Sequence, residues 1–349
     1  MGASSLTQSH RANRVKGGNQ QIRNHLSTFP FVSRKAQESE IVILNSLQLV
    51  GTIFAALLGL AFGSCLNVFL TRFPEGESIV TPRSHCRHCE QTLTWWENLP
   101  LLSWIMLRGR CRSCRAWIGL RYPFIELAVG LLWAACWIRF GQPLFAPDLA
   151  PGLTILHPAI QSLIQVAGSA VLVWLLIALA ALDAEHFWLP DWLTLPGIAA
   201  GFLFTLLQAW ARDIQSVQVV RFVQFVQAGN LLHAAWHALI AILASAGLIL
   251  ILRLGYWLVR RREGIGLGDA KLMALLAAWF GFRGAMESFF FAILVATAAA
   301  ILWLAILATR RDTGKWAQMP LPLGTFLCVA GLLEIFCPQW LLNSQRLGF

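Results

Sequence analysis

The fold class this sequence predicts is an all-α polytopic membrane protein with about eight transmembrane helices and a cytoplasmic zinc-binding loop between the first two. Three observations lead there. Of the 349 residues, 57% are hydrophobic and only 13% charged, about half the charge of a soluble domain. Uncharged apolar runs at 41–71, 149–182, 192–211, 222–252 and 288–309 each reach the ~20 residues needed to cross a hydrocarbon core ~30 Å thick. Those runs are continuous and not alternating, which argues against a transmembrane β-barrel.

In chain order, residues 1–40 are polar, with no acidic residue before Glu38. They read as a disordered tail, although the composition also fits a transit peptide. The run 41–71 is the first span, and it starts too late and is too long for a cleavable signal peptide. Residues 72–121 form the one sizeable polar loop between spans. Residues 122–349 hold the remaining spans: the long runs above and three weaker ones, 122–138 (interrupted by Glu126), 270–282 and 316–333.

The net charge of +10 reports topology here, and no nucleic-acid partner is expected. Lys and Arg stay on the cytoplasmic side of a membrane protein. The loops 72–121, 183–191, 259–271 and 310–315 share one face and carry 15 of the 27 Lys and Arg residues. That face is placed in the cytoplasm. The six basic residues of the N-terminal tail fall on the other side and dissent from the rule.

The loop 72–121 contains "CRHC" (Cys86, Cys89) and "CRSC" (Cys111, Cys114), separated by residues 90–110. Paired C-x-x-C knuckles at this distance are a zinc signature. Four thiolates close a tetrahedron with no position left for water, so the site is structural. Two disulfides are the alternative, and a reducing cytoplasmic face disfavours them. His85 and His88 read as exposed neighbours. Cys65, Cys136, Cys328 and Cys337 read as small buried hydrophobes. No internal repeat is evident.

Asp183 stands at the end of a long apolar run, in "LAALDAEHFWLPDWLTLP", and Asp269 stands in "GIGLGDAKL". The two lie in loops of the same parity, so they face the same side as the cysteines however the chain inserts. Acids at membrane depth are costly and tend to be functional. Two on one face predict a carboxylate dyad, in which close carboxyls share one proton. The ionised partner takes a proton from water and the protonated one donates to the carbonyl under attack. Asp183 ends a helix and Asp269 begins one, so the dipoles assign the charge to Asp269. Gly264, Gly266 and Gly268 let backbone approach the dyad or substrate. Lys271 belongs to the same block, or snorkels at the start of a span. Asp191 reads as an N-cap. Glu185 and His186 read as solvated loop residues.

These blocks resemble a known family. "GSCLNVFLTRFP" (63–74), the cysteine loop (83–126), "DAEHFWLPDWLTLP" (183–196), "GLGDAKL" (266–272) and "PLPLGTFLCVAG" (320–331) are similar to the bacterial prepilin peptidases, also called type IV leader peptidases, which are GxGD-type intramembrane aspartyl proteases. The resemblance implies that Asp183 and Asp269 cleave the leader of type IV pilin or pseudopilin precursors. It also implies that the new N-terminus is methylated from S-adenosylmethionine. The expected setting is the bacterial inner membrane, with lipid around the spans and the active site facing the cytoplasm. Two alternatives stay open: a presenilin-like intramembrane aspartyl protease, and a non-enzymatic transporter or scaffold with a zinc loop.

Overall fold

The structure, a computed structural model, describes residues 34–141, 156–216, 224–261, 266–309 and 322–337. Gly264, the expected loop 310–315 and most of the tail therefore lie outside the described residues. Contacts divide the chain into Met1–Leu47 and Gln48–Phe349. In the first of these, the described residues are helical from Arg34 onwards, so helix replaces the expected tail over 34–40.

Among the described residues eight α-helices follow in order: α1 (Arg34–Arg72), the short α2 (Leu102–Met106), α3 (Arg121–Phe140), α4 (Leu156–His186), α5 (Asp191–Ser216), α6 (Gln224–Arg260), α7 (Leu267–Thr309) and α8 (Leu323–Phe336). No strand occurs among the described residues; two isolated bridges lie within the loop between α1 and α3. Six helices are long and apolar enough to cross a membrane: α1 and α3–α7. Helix α8 is apolar but shorter, at 14 residues.

The expected runs 270–282 and 288–309 fall on the two sides of a break in α7. At 43 residues a straight α7 would be ~65 Å long, twice a hydrocarbon core. It is not straight. Gly281 breaks it at φ 74 and ψ 179, a conformation open to glycine and closed to other residues. The break is sharp, because a methyl group at Gly284 would lie 2.5 Å from Phe280 Cβ. The first half, 267–280, is short for a span. Its residues 272–279 are all buried, so this segment meets protein and not lipid.

That buried segment is the centre of the body. Leu272, Met273, Leu275 and Leu276 share one buried cluster with Leu172, Leu176 and Leu179, which follow helical spacing along α4. Helix α5 comes close through Gly197 and Gly201, a small-xxx-small pair. The Trp279 indole sits over Gly201 and donates to the Gly197 carbonyl at 3.0 Å. The cysteines divide: Cys136 and Cys328 are buried as expected, whereas Cys65 is exposed, on a helix whose apolar surface also faces outwards.

Candidate active site and thiolate centre

Asp183 lies in the last turn of α4, and local sequence ends the helix there. The Asp183 carbonyl accepts the N–H of Phe187, which is held in the left-handed region at φ 51. Pro190 follows, and α5 starts at Asp191. Asp269 lies three residues into α7. Its Oδ2 accepts the N–H of Gly266 at 3.2 Å, the reach-back half of a capping box. Asp183 and Asp269 are 6% and 9% exposed, at the C-terminal end of α4 and the N-terminal end of α7. Each is within electrostatic reach of the other, and Cys328 on α8 is within reach of both.

Helix α8 completes the site. The Thr325 N–H donates to Asp183 Oδ2 at 2.6 Å, and its hydroxyl donates to the same oxygen at 3.0 Å. That N–H is one of the donors left free at the start of a helix, where an anion is favoured. The close approach requires glycine at 324, since a methyl group there would lie 2.8 Å from Asp183 Oδ2. Among the described residues, Oδ1 of each aspartate accepts no hydrogen bond. Each carboxylate is thus fixed through one oxygen and keeps the other available. The sequence singles out both aspartates but assigns Gly324 and Thr325 no role; the Pro-Leu-Gly-Thr run that opens α8 was the available signal.

The other expected residues hold the site's frame. Gly268 abuts Leu189, to which a methyl group would come within 3.0 Å. Lys271 pairs with Asp191 and so ties α7 to α5. Glu185 is not a free loop residue. It lies on α4 and pairs with Arg121 of α3 at 3.0 Å. Phe73, just past α1, stacks on Trp188 and meets Trp192 edge-on, with centroids 5.5 and 4.0 Å away. The cysteine loop is thereby anchored beside the α4–α5 connection.

The four thiols of that loop converge. Cys86, Cys89, Cys111 and Cys114 place their Sγ atoms within 4.8 Å of one another, with Cys86–Cys114 at 3.8 Å and Cys89–Cys111 at 4.0 Å. No disulfide joins them. A tetrahedron of sulfurs at ~2.3 Å from a metal has edges of ~3.8 Å, so the donor set fits a thiophilic ion. The N–H of Cys114, aided by that of Ser113, draws the Cys111 thiol down to about 7 against the effect of burial.

The knuckles repeat each other. Glu90 N–H donates to Cys86 O at φ 57, and Arg115 N–H donates to Cys111 O at φ 61. Cys86 N–H donates to Gln91 O, and Cys111 N–H to Ala116 O. This is a local structural repeat that the side-chain identities conceal. Glu97 braces the second knuckle. Burial opposes its charge, but the Thr94 hydroxyl and N–H and the Arg112 guanidinium outweigh that and hold its carboxyl below the usual range.

Fold and site together define a polytopic membrane protein with two buried aspartates at one end of its helices and a four-thiol module alongside. Residues 57–140 match the bacterial peptidase A24 N-terminal domain, and residues 170–302 match the type IV leader peptidase family. The chain is 32% identical over 306 residues to a prepilin leader peptidase/N-methyltransferase of Aeromonas hydrophila, covering 80% of this chain and 88% of that one. It is 34% identical over 308 residues to that of Burkholderia pseudomallei strain 1026b, covering 81% and 84%. With that of Myxococcus xanthus it shares 37% over 261 residues, 74% of this chain but only 64% of the relative's length. No solved structure matches the chain. The chain belongs to the type IV leader peptidase family.

Proposed function

We propose that this protein is a membrane-embedded prepilin leader peptidase that uses Asp183 and Asp269 as a shared-proton dyad and then methylates the N-terminus it exposes. One observation carries the reading: acids from α4 and α7, 86 positions apart in sequence, are buried at one end within electrostatic reach of each other. Two such carboxyls hydrolyse a peptide without a metal or a covalent intermediate. The ionised partner deprotonates the attacking water, and the protonated partner donates to the carbonyl oxygen. The proton then passes to the leaving amine as the C–N bond breaks.

The substrate is a type IV pilin or pseudopilin precursor; the relatives are named prepilin leader peptidases, and the matching family type IV leader peptidases. Its apolar helix lies in lipid beside the spans and its leader stays in water, so the scissile bond meets the aspartates at the boundary. Eight crossings follow if α7 counts twice, about its break at Gly281, and α8 once. Residues 72–121 then form a cytoplasmic loop, and 122–349 the membrane-embedded protease part of an inner-membrane protein. Cys86, Cys89, Cys111 and Cys114 hold structural zinc, whose role is to fold the loop. Gly266 and Gly268 shape the backbone around Asp269, and Lys271 fixes α7 against α5. The methyl donor is S-adenosylmethionine.

The test is precursor cleavage by Asp183→Asn and Asp269→Asn variants that still insert. Near-complete loss in each is expected. Cleavage near the wild-type rate by either variant removes the dyad from the account.

A further inference from the structure

Three features outside the dyad invite a role. A cleft of about 480 Å³ opens where α5 and α6 meet the Gly281 break. It is lined mostly by alanine and other apolar side chains, as a lipid-filled gap would be. His233 and His237 touch one turn apart on α6, but two imidazoles without a third donor satisfy each other. The third feature is a cavity of about 350 Å³ between the cysteine module and the cytoplasmic ends of α1 and α3, within the size range of small-molecule sites.

Its walls combine buried charged groups of both signs that form no ion pair among the described residues. Arg72 is 5% exposed and Glu126 is 8% exposed. Neither forms an ion pair among the described residues. Arg72 donates to the carbonyls of Ser78 and Arg83 at 3.1 and 3.3 Å. Glu126 accepts the N–H of Leu101 at 2.8 Å, and Leu101 holds the left-handed φ of 58, unusual for a leucine. Asn67, 2% exposed, donates to the Tyr122 carbonyl, while its Oδ1 is buried with no partner. Buried charges that lack a counter-ion are costly even when hydrogen-bonded. One of each sign, with an unused amide oxygen, suits the zwitterionic end of an α-amino acid. Trp104 and Trp117 stand edge to face on the same cavity, centroids 6.0 Å apart. They offer flat apolar surface to a purine.

We propose that this cavity is the methyl-donor site: Arg72 pairs with the methionyl carboxylate, Glu126 and Asn67 hold the ammonium and sulfonium end, and Trp104 and Trp117 flank the adenosine. This rests on the methyltransferase reading above and gives that activity a place. In the reaction, the free amine of the cleaved pilin attacks the sulfonium methyl. The new C–N bond forms as the C–S bond breaks, and that electron pair stays on sulfur as a neutral thioether. The proton given up by the terminal ammonium passes to solvent. The Arg121–Glu185 pair joins the start of α3, five positions before Glu126, to the turn of α4 that bears Asp183. The cleaved end therefore meets the donor near where it is made.

The experiment is calorimetric titration of the full-length, metal-loaded protein in detergent with S-adenosylhomocysteine and with methylthioadenosine, which lacks the amino-acid end. Glu126→Gln keeps the shape and an acceptor for Leu101. It is expected to weaken S-adenosylhomocysteine ten- to hundredfold, the usual range for a bond to a charged group, and to leave methylthioadenosine unchanged. Trp117→Ala, on the exposed rim, is expected to weaken both. Ultraviolet crosslinking of labelled S-adenosylmethionine to the wild type requires no variant, and its adducts should map within residues 64–126. The assignment is overturned if Glu126→Gln binds S-adenosylhomocysteine as the wild type does. It is also overturned if that variant loses both ligands together, or if the adducts map elsewhere. Methylation of a cleaved precursor by the wild type separates the two ideas. Methylation without Glu126-dependent binding sinks the cavity alone, whereas neither methylation nor donor binding sinks the methyltransferase reading with it.

Discussion

Replacing Gly324 with alanine should damage catalysis more than any other single methyl group added to this protein. The new carbon would lie 2.8 Å from Asp183 Oδ2, 2.9 Å from its Cγ and 3.1 Å from Oδ1, where ordinary contact begins near 3.4 Å. Either α8 or the carboxylate must yield by about 0.6 Å. Helix α8 is packed against α4 and α7 through the fully buried Leu327 and Cys328, so the carboxylate moves. A productive site tolerates roughly 0.5 Å, and a misplacement of ~1 Å costs ~10²-fold. The expected result is a kcat for precursor cleavage lowered about 10- to 100-fold with KM little changed, because no substrate contact is touched. Overpacking should also cost about 1–3 kcal/mol of stability, so inserted, folded protein must be quantified first. A folded Gly324→Ala enzyme with a kcat equal to wild type would refute the placement of α8 against Asp183. Thr325→Val is the companion. It removes the 3.0 Å hydroxyl bond but keeps the N–H, for a loss of about tenfold, whereas Thr325→Ser should restore most of the rate.

The other expectations concern the dyad, the metal and the frame. Because the two aspartates act as a unit, Asp183→Asn combined with Asp269→Asn should be little worse than either alone; additive losses in cleavage kinetics would speak for separate roles. Cys→Ser at Cys86, Cys89, Cys111 or Cys114 should lower bound zinc measured by elemental analysis and loosen the loop, since its folding is linked to the metal. Methylation should fall further than cleavage in those variants, and selective loss of cleavage would contradict that division of labour. The Arg121–Glu185 pair is about one-third exposed on both sides, so a double-mutant cycle read by thermal unfolding should give a coupling of only about 0.2–1 kcal/mol.

How far the sequence could be read depended on whether a feature was local. Apolar run length located the long apolar helices, and C-x-x-C spacing located the thiol cluster, because each rule needs only neighbouring residues. Parity of the loops is what predicts Asp183 and Asp269 on one face. What escaped was carried by partners distant in the chain. Helix α8, distant in the chain, aims the Thr325 N–H at Asp183 and adds a donor that the dipoles of α4 and α7 do not include. Glu185 looked solvated because its partner, Arg121, lies on another helix. Runs 270–282 and 288–309 are separate in the sequence and stay separate in the structure, parted by the non-helical Gly281. Arg72, Asn67 and Glu126 look unremarkable singly and gain meaning only where α1 and α3 close on the cysteine module.

The central claim is that one chain both cleaves a pilin-like precursor and methylates the product. Intact-mass spectrometry of a purified precursor, incubated with the purified protein and S-adenosylmethionine, tests it most directly. The account predicts a product lacking its leader and heavier by one methylene than the cleaved chain, with no product from Asp183→Asn or Asp269→Asn. An unchanged precursor with folded wild-type protein, or cleavage that survives loss of both aspartates, would contradict it.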